Sequence, residues 1–207
     1  FDAEVTRVID NMLDRSIPQY STMRESVTAL ARRFLADGGL VVDLGCSLGG
    51  AIAPLVEMPG CTFLGLESSP PMVAQAKERF ARQPNVTIQA YDLRQGLKTE
   101  SPRLVLSILT LMFLPIEYRQ GLLRDIYQRL QPGGALILVE KVLGASSGLD
   151  SIMVAEYYEQ KRQNGYTQEE IDRKRLSLEG QLVPLTARFN EEMLSASGFR
   201  EIDCFWR

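Results

Sequence analysis

The stretch VVDLGCSLGG, Val41 to Gly50, is an apolar run that ends in an acid, Asp43, and then breaks into glycines. Val41, Val42 and Leu44 suit a strand buried on both faces, and the glycines suit a tight strand-to-helix turn. Four further runs repeat the pattern: TFLGL 62–66, VTIQAY 86–91, RLVLSIL 103–109 and ALILVE 135–140. The spacing predicts crossover helices between them, at PPMVAQAKERFARQ 70–83 and PIEYRQGLLRDIYQRL 115–130. Pro115 at a first-turn position and the QPGG stop at 131–134 frame the second helix. Alternation of this kind specifies an α/β fold, a mostly parallel Rossmann-like sheet with helices on both faces.

Outward from this centre, helices are expected near 2–13 and 21–36, separated by RSIPQY 15–20. Beyond the fifth strand the pattern predicts helices near 149–163, 167–180 and 188–197, then a strand at 200–206. The loop-like stretch LGASSGLD 143–150 opens this part, and residues 143–197 are expected to cap the sheet edge where ligands bind in doubly wound folds. With 207 residues and 45% hydrophobic content, the chain reads as a single domain, 1–207. It starts at Phe1 without a Met and stops at Arg207 inside an expected strand, so residues are expected to be missing at either end.

Net charge is −3, which gives no overall basic field toward a polyanion or an anionic membrane, and nucleic acid is not directly indicated. The basic runs KR 161–162 and RKR 173–175 read first as solvated helical faces. The longest apolar run, LVLSILTLMFL 104–114, is about half a membrane span. Three cysteines without C-x-x-C spacing, and no histidine at all, give no metal site by the usual donors and point to reduced thiols in a cytoplasmic protein.

The glycine loop departs from the dinucleotide pattern G-x-G-x-x-G, because Ser47 replaces the second glycine and Asp43 stands two residues before Gly45. A carboxylate there repels a pyrophosphate at short range. It attracts an ammonium or a sulfonium, and S-adenosyl-L-methionine carries both. Glu67 ends the second strand, 22 residues after Gly45, where an acid can hold ribose hydroxyls. Asp92 ends the third, placed for the adenine amino group, with the Leu93 N–H facing the ring. Taken singly these acids also suit helix caps and turns; three consecutive strands ending in an acid favour the cofactor. Cys46 has no histidine partner and reads as a small loop residue.

These residues resemble the class I S-adenosylmethionine-dependent methyltransferases, and within them the carboxy-S-adenosylmethionine synthases of the tRNA wobble-uridine pathway. The resemblance covers nearly the whole chain. It rests on FDAEV 1–5, RSIPQY 15–20, DLGCSLG 43–49, SPPM 69–72, DIYQRLQPGGAL 125–136 and KRQNGYTQEEIDRKR 161–175. It implies that Tyr20 contacts the cofactor, that Gly45, Cys46 and Ser47 wrap its amino-acid part, that Glu67 and Ser68 take the ribose, and that Asp92 and Leu93 take the adenine. Arg175 matches the arginine that pairs with the extra carboxylate of carboxy-S-adenosyl-L-methionine, a role suited to a planar, permanently charged guanidinium. A homodimer is also implied. One position departs from the family, since Ile108 stands where the synthases carry an asparagine.

The expected function is therefore an S-adenosylmethionine-dependent methyltransferase, with Arg175 and Tyr20 the catalytic candidates and a small, acidic acceptor held by Arg175. Tyr166 and the cap carboxylates are further candidates for a general base. The first alternative is synthesis of carboxy-S-adenosyl-L-methionine from S-adenosyl-L-methionine and prephenate. The second is a non-catalytic cofactor-binding module.

Overall fold

The computed structural model describes residues 12–207. The helix expected near 2–13 and the FDAEV segment fall on or before residue 11, outside the described residues, apart from the helical residues 12–16. Helix α1 spans Tyr20–Phe34, β1 Gly39–Leu44, β2 Cys61–Glu67, α2 Pro70–Arg79, β3 Val86–Ala90 and β4 Leu104–Ile108. Helix α3 spans Ile116–Arg129, β5 Ala135–Val139, β6 Val142–Leu143, α4 Ser147–Gln163, α5 Gln168–Leu178, β7 Leu185–Thr186 and α6 Ala187–Ser197.

Five strands form a parallel sheet in the order β3-β2-β1-β4-β5. All five expected strands of the sheet are present within two residues of their expected limits. Side-chain alternation sends Val41, Leu104 and Leu106 to one face, among Met23, Val27 and Ala31 of α1 and Val73 and Ala76 of α2. It sends Val42, Leu44 and Val105 to the other, among Leu122, Leu123 and Ile126 of α3 and Met193 of α6. Each such aliphatic side chain, fully withdrawn from water, contributes about 1.5–3 kcal/mol. Burial on both faces is why the strands read as unbroken apolar runs.

The strand order reverses direction between β1 and β4, so the two chain reversals leaving their C-terminal ends open a crevice there. The pairing Asp43↔Leu106 and Leu44↔Ser107 fixes which residues meet at its floor. Helices α4 and α5 contribute to the same crevice through Tyr157, Lys161, Lys174 and Arg175. Their ends follow local rules: Ser146 caps α4 by accepting from the Leu149 N–H, and Thr167 and Glu170 form a reciprocal capping box at the start of α5. Helix α6 packs instead on α3.

The strand expected at 200–206 does not form; residues 199–207 carry neither helix nor strand. The Asp203 side chain accepts from the Cys204 N–H at 2.8 Å, a local bond that competes with ladder pairing. Of this segment Phe199 and Trp206 pack on the core, one on each face of the sheet.

Candidate active site at the switch point

The loop after β1 is held by backbone conformations that its sequence only partly advertises. Gly45 has φ +65°, and a Cβ there would stand 2.5 Å from the Thr110 methyl. A side chain at Gly49, φ +73°, would run into the Phe80 ring. Ser47 adopts φ +49° without being glycine, so the position that departs from the dinucleotide pattern keeps the left-handed backbone at a cost in strain. Leu109, just beyond β4, has φ +59°. For a bulky residue this is a rare conformation. The Leu109 N–H donates to the Val139 carbonyl at 2.7 Å, which holds it there.

Glu67 is 7% exposed. One of its oxygens accepts from the Ser47 N–H at 2.9 Å and the other from the Ser69 N–H at 2.8 Å. The acid expected to hold ribose hydroxyls therefore also ties the glycine loop to the end of β2. A carboxylate offers about four lone-pair positions, so each oxygen retains capacity for one hydroxyl. Asp43 is 2% exposed, and its Oδ2 is buried with no hydrogen-bond partner. Burial pushes its pKa up to about 7; Arg24 opposes that rise and the Glu67 charge adds to it. A buried acceptor without a donor is costly unless a ligand supplies one. An ammonium or sulfonium entering from the crevice fits it.

Cys46 is buried beside both acids, and burial followed by their charges raises its thiol pKa far above the ordinary value. It is a packed thiol, with Sγ 2.7 Å from where a Cβ on Gly65 would lie. Asp92 caps a short turn, Leu93–Gln95, accepting from the Arg94 N–H at 2.9 Å and from its guanidinium. This hydrogen bonding holds the carboxyl below the ordinary range. The crevice is lined by all the positions expected to bind cofactor: Tyr20, Asp43, Gly45, Cys46, Ser47, Glu67, Ser68, Asp92, Leu93 and Arg175. Ile108 lines it too.

Arg175 lies on α5 with its guanidinium loosely paired to Asp172 at 3.8 Å, about half exposed on both sides. Such a pair is weak and leaves the fork open to an incoming carboxylate. Tyr166 is not on the crevice wall. Its hydroxyl is 3.0 Å from Ser16 Oγ, and the Arg15 guanidinium sits 4.5 Å above its ring. Arg15 also donates to the Asn164 carbonyl, and Asn164 Nδ2 returns a bond to the Arg15 carbonyl. The RSIPQY and KRQNGY segments thus meet in space, and the turn between α4 and α5 is anchored beside the start of α1.

Three residues were not picked out from sequence. Arg24, one turn after Tyr20 on α1, lines the crevice with Nη2 3.4 Å from where a Cβ on Gly50 would lie. Its i+4 spacing from Tyr20 was the available signal. Glu140, at the end of β5, accepts from the Leu111 N–H at 3.0 Å; burial raises its pKa to about 8 against the pull of Arg119 and of the 110–112 backbone. Arg119, 1% exposed, donates to the Leu114 and Met112 carbonyls. Together Glu140 and Arg119 fix the loop that follows β4.

Residues 41–134 match the family model of a methyltransferase domain. A carboxy-S-adenosyl-L-methionine synthase of Methylococcus capsulatus is 38% identical over 213 aligned positions, covering 100% of this chain and 88% of the relative. The chain belongs to the carboxy-S-adenosyl-L-methionine synthase family. A synthase of Histophilus somni is 32% identical over the same shares of the two chains. The fold is that of the class I methyltransferases: human N-acetylserotonin methyltransferase, solved with S-adenosylmethionine, superimposes with a TM-score of 0.64 at 18% identity, over 96% of this chain and 50% of that one. This family member is an S-adenosylmethionine-dependent transferase, and no helix among the described residues is long and apolar enough to cross a membrane.

Proposed function

We propose that this chain makes carboxy-S-adenosyl-L-methionine from S-adenosyl-L-methionine and prephenate. The methyl group gives up a proton and gains carbon dioxide; prephenate, losing that carbon dioxide and a hydroxide that takes up the proton as water, becomes phenylpyruvate. The observation that carries this reading is the position of Arg175, on the wall of the cofactor crevice with only a loose partner at 3.8 Å. When bound, the sulfonium supplies a methyl carbon activated toward loss of a proton or of the thioether. Asp43 holds the ammonium, and Arg24 stands beside it for the amino-acid carboxylate. Glu67 and Ser68 take the ribose hydroxyls, and Asp92 with the Leu93 N–H takes the adenine. Tyr20 closes the cofactor from α1. Arg175 receives the carboxylate carried by the product, and α4 and α5 exclude water, so positioning and desolvation do most of the work.

The same reading treats residues 1–207 as one cofactor-binding domain with a cap segment at about 143–197, acting as a cytoplasmic homodimer. Leu149, Ile152 and Met153 support the dimer: they lie at i, i+3 and i+4 on α4 and are 54%, 61% and 56% exposed, an apolar stripe that a second copy would cover. Light scattering of the purified protein reads the assembly directly.

Ile108 favours a second reading, a methyltransferase acting on an acidic acceptor held by Arg175, because an apolar side chain takes the place of the family's asparagine. Arg175→Ala separates the two. Under the synthase reading the variant binds S-adenosyl-L-methionine within about threefold of wild type in calorimetry and fails to retain the carboxylated product. Equal losses of both ligands count against it.

A further inference from the structure

The synthase reading leaves a cluster of cations on the cap without a task. Lys161 of α4 is 6% exposed, and among the described residues it has no carboxylate within ion-pairing distance and no hydrogen-bond acceptor. Its Nζ lies 4.7 Å from the Tyr157 ring centroid and 5.6 Å from that of Tyr166. Lys141, two residues beyond β5, approaches the same Tyr157 ring at 5.4 Å. Lys174 of α5 is close enough to act on Lys161, and burial together with the Lys141 and Lys174 charges lowers the Lys161 pKa. Lys141, Tyr157, Lys161, Lys174 and Arg175 all line the crevice.

The neighbouring cations on the same helices behave differently. Arg162 is paired with Glu159 at 2.9 Å and Arg173 with Glu169 at 2.7 Å, both on exposed faces. Helix geometry sorts the basic runs 161–162 and 173–175: one member turns outward to an acid on its own helix, and Lys161 and Lys174 turn toward the crevice, Lys161 with no acid paired to it among the described residues. Glu140, next to Lys141 in sequence, is committed to the backbone N–H groups of the loop after β4. A buried cation with like charges beside it, as Lys161 is, is costly unless an anion joins it, and partial relief by an aromatic face does not neutralise it.

We propose that Lys161, Lys141 and Lys174 form an anion subsite for a carboxylate of the acidic co-substrate, with the Tyr157 ring as the apolar wall for that molecule's body. This deepens the synthase reading and rests on it for the identity of the acid. Arg175 and the lysine subsite together provide two separate cationic positions, which suits a small dicarboxylate with an unsaturated ring better than a monocarboxylate.

The test is calorimetric titration of prephenate into the full chain loaded with S-adenosylhomocysteine, with phenylpyruvate as the one-carboxylate control. Wild type is expected to bind prephenate more tightly than phenylpyruvate. Lys161→Met, which keeps the packing between the two tyrosines, is expected to weaken prephenate about tenfold or more with unchanged affinity for S-adenosylhomocysteine, and Lys161→Arg to restore part of the loss. Lys141 is exposed, so Lys141→Ala tests the same subsite without risk to the fold and should weaken prephenate several-fold. Unchanged prephenate affinity in folded Lys161→Met and in Lys141→Ala overturns the proposal, as does absence of prephenate binding by wild type. Lysine-dependent binding of prephenate by a wild type that yields no carboxylated product sustains the subsite and removes the synthase reading.

Discussion

The two walls of the crevice are built on opposite plans. The sheet wall is acidic, buried and tied to backbone: Asp43 and Glu67 are 2% and 7% exposed, and Glu67 spans Ser47 and Ser69. The cap wall is cationic and sparsely tied, with Arg175 only loosely paired and Lys161 without an ion-pair partner among the described residues. A wall held rigid by Glu67, with one buried acceptor, Asp43 Oδ2, left for a ligand to satisfy, can hold an unchanging ligand in one geometry. A wall with unmet charge is set to answer whatever anion arrives. Under the proposed function the difference separates two tasks: cofactor binding on the sheet wall and reaction choice on α4 and α5.

The comparison breaks most severely at Glu67. Glu67→Ala removes the carboxylate that accepts from the Ser69 and Ser47 N–H groups and, under the proposed function, the ribose acceptor, so affinity for S-adenosyl-L-methionine should fall about a hundredfold or more in calorimetry. Retained affinity within a few-fold would show that the sheet wall is not built around this acid.

Asp43 comes next, and its effects on fold and ligand have opposite signs. Its pKa is raised from 3.8 to about 7, so the folded chain favours the protonated form. That contribution to stability is fully present below about pH 4 and is lost as pH rises through about 7. Asp43→Asn should therefore stabilise the ligand-free protein at pH 8, on the order of 2–4 kcal/mol by thermal melting, and weaken S-adenosyl-L-methionine about tenfold. Wild-type affinity for the cofactor should decline as pH falls below about 7, and the variant should lose that dependence. A ligand-free variant no more stable than wild type at pH 8 would contradict the burial account.

The sheet wall was legible because parallel-strand physics writes itself in local order. Five apolar runs each end where a side chain must leave the sheet, and four of them, the first three and the fifth, end in an acid. Alternation between Val41 and Val42, or Leu104 and Val105, is invisible in such runs, yet register turns it into two separate cores. The cap wall was not legible in the same way. RKR 173–175 reads as a solvated face, and only the rotation of α5 places Lys174 inward and Arg173 outward against Glu169. Arg24 was missed because its partner, Asp43, is 19 residues away on another element. The strand expected at 200–206 has suitable residues, but a strand also needs pairing along its length, and this segment spends a backbone N–H on Asp203 instead.

Smaller perturbations sharpen the boundary between the walls. Ile108 is half-buried where β4 meets the crevice. Ile108→Asn should lower thermal stability by about 1–2 kcal/mol through loss of apolar burial, and increase retention of the carboxylated product a few-fold if the family's asparagine position contacts it here. Arg94→Ala, which removes the exposed partner of Asp92, should change S-adenosyl-L-methionine affinity by less than about twofold. A larger loss would mean that Asp92 depends on Arg94 for its orientation.

The most direct measurement of the central claim is native mass spectrometry of the purified chain after incubation with S-adenosyl-L-methionine and prephenate, followed by denaturation and identification of the released nucleoside. The account predicts a ligand heavier than S-adenosyl-L-methionine by one carbon dioxide, absent when prephenate is omitted and lost from Arg175→Ala. Release of unmodified S-adenosyl-L-methionine alone, from folded wild-type protein supplied with both compounds, would contradict it.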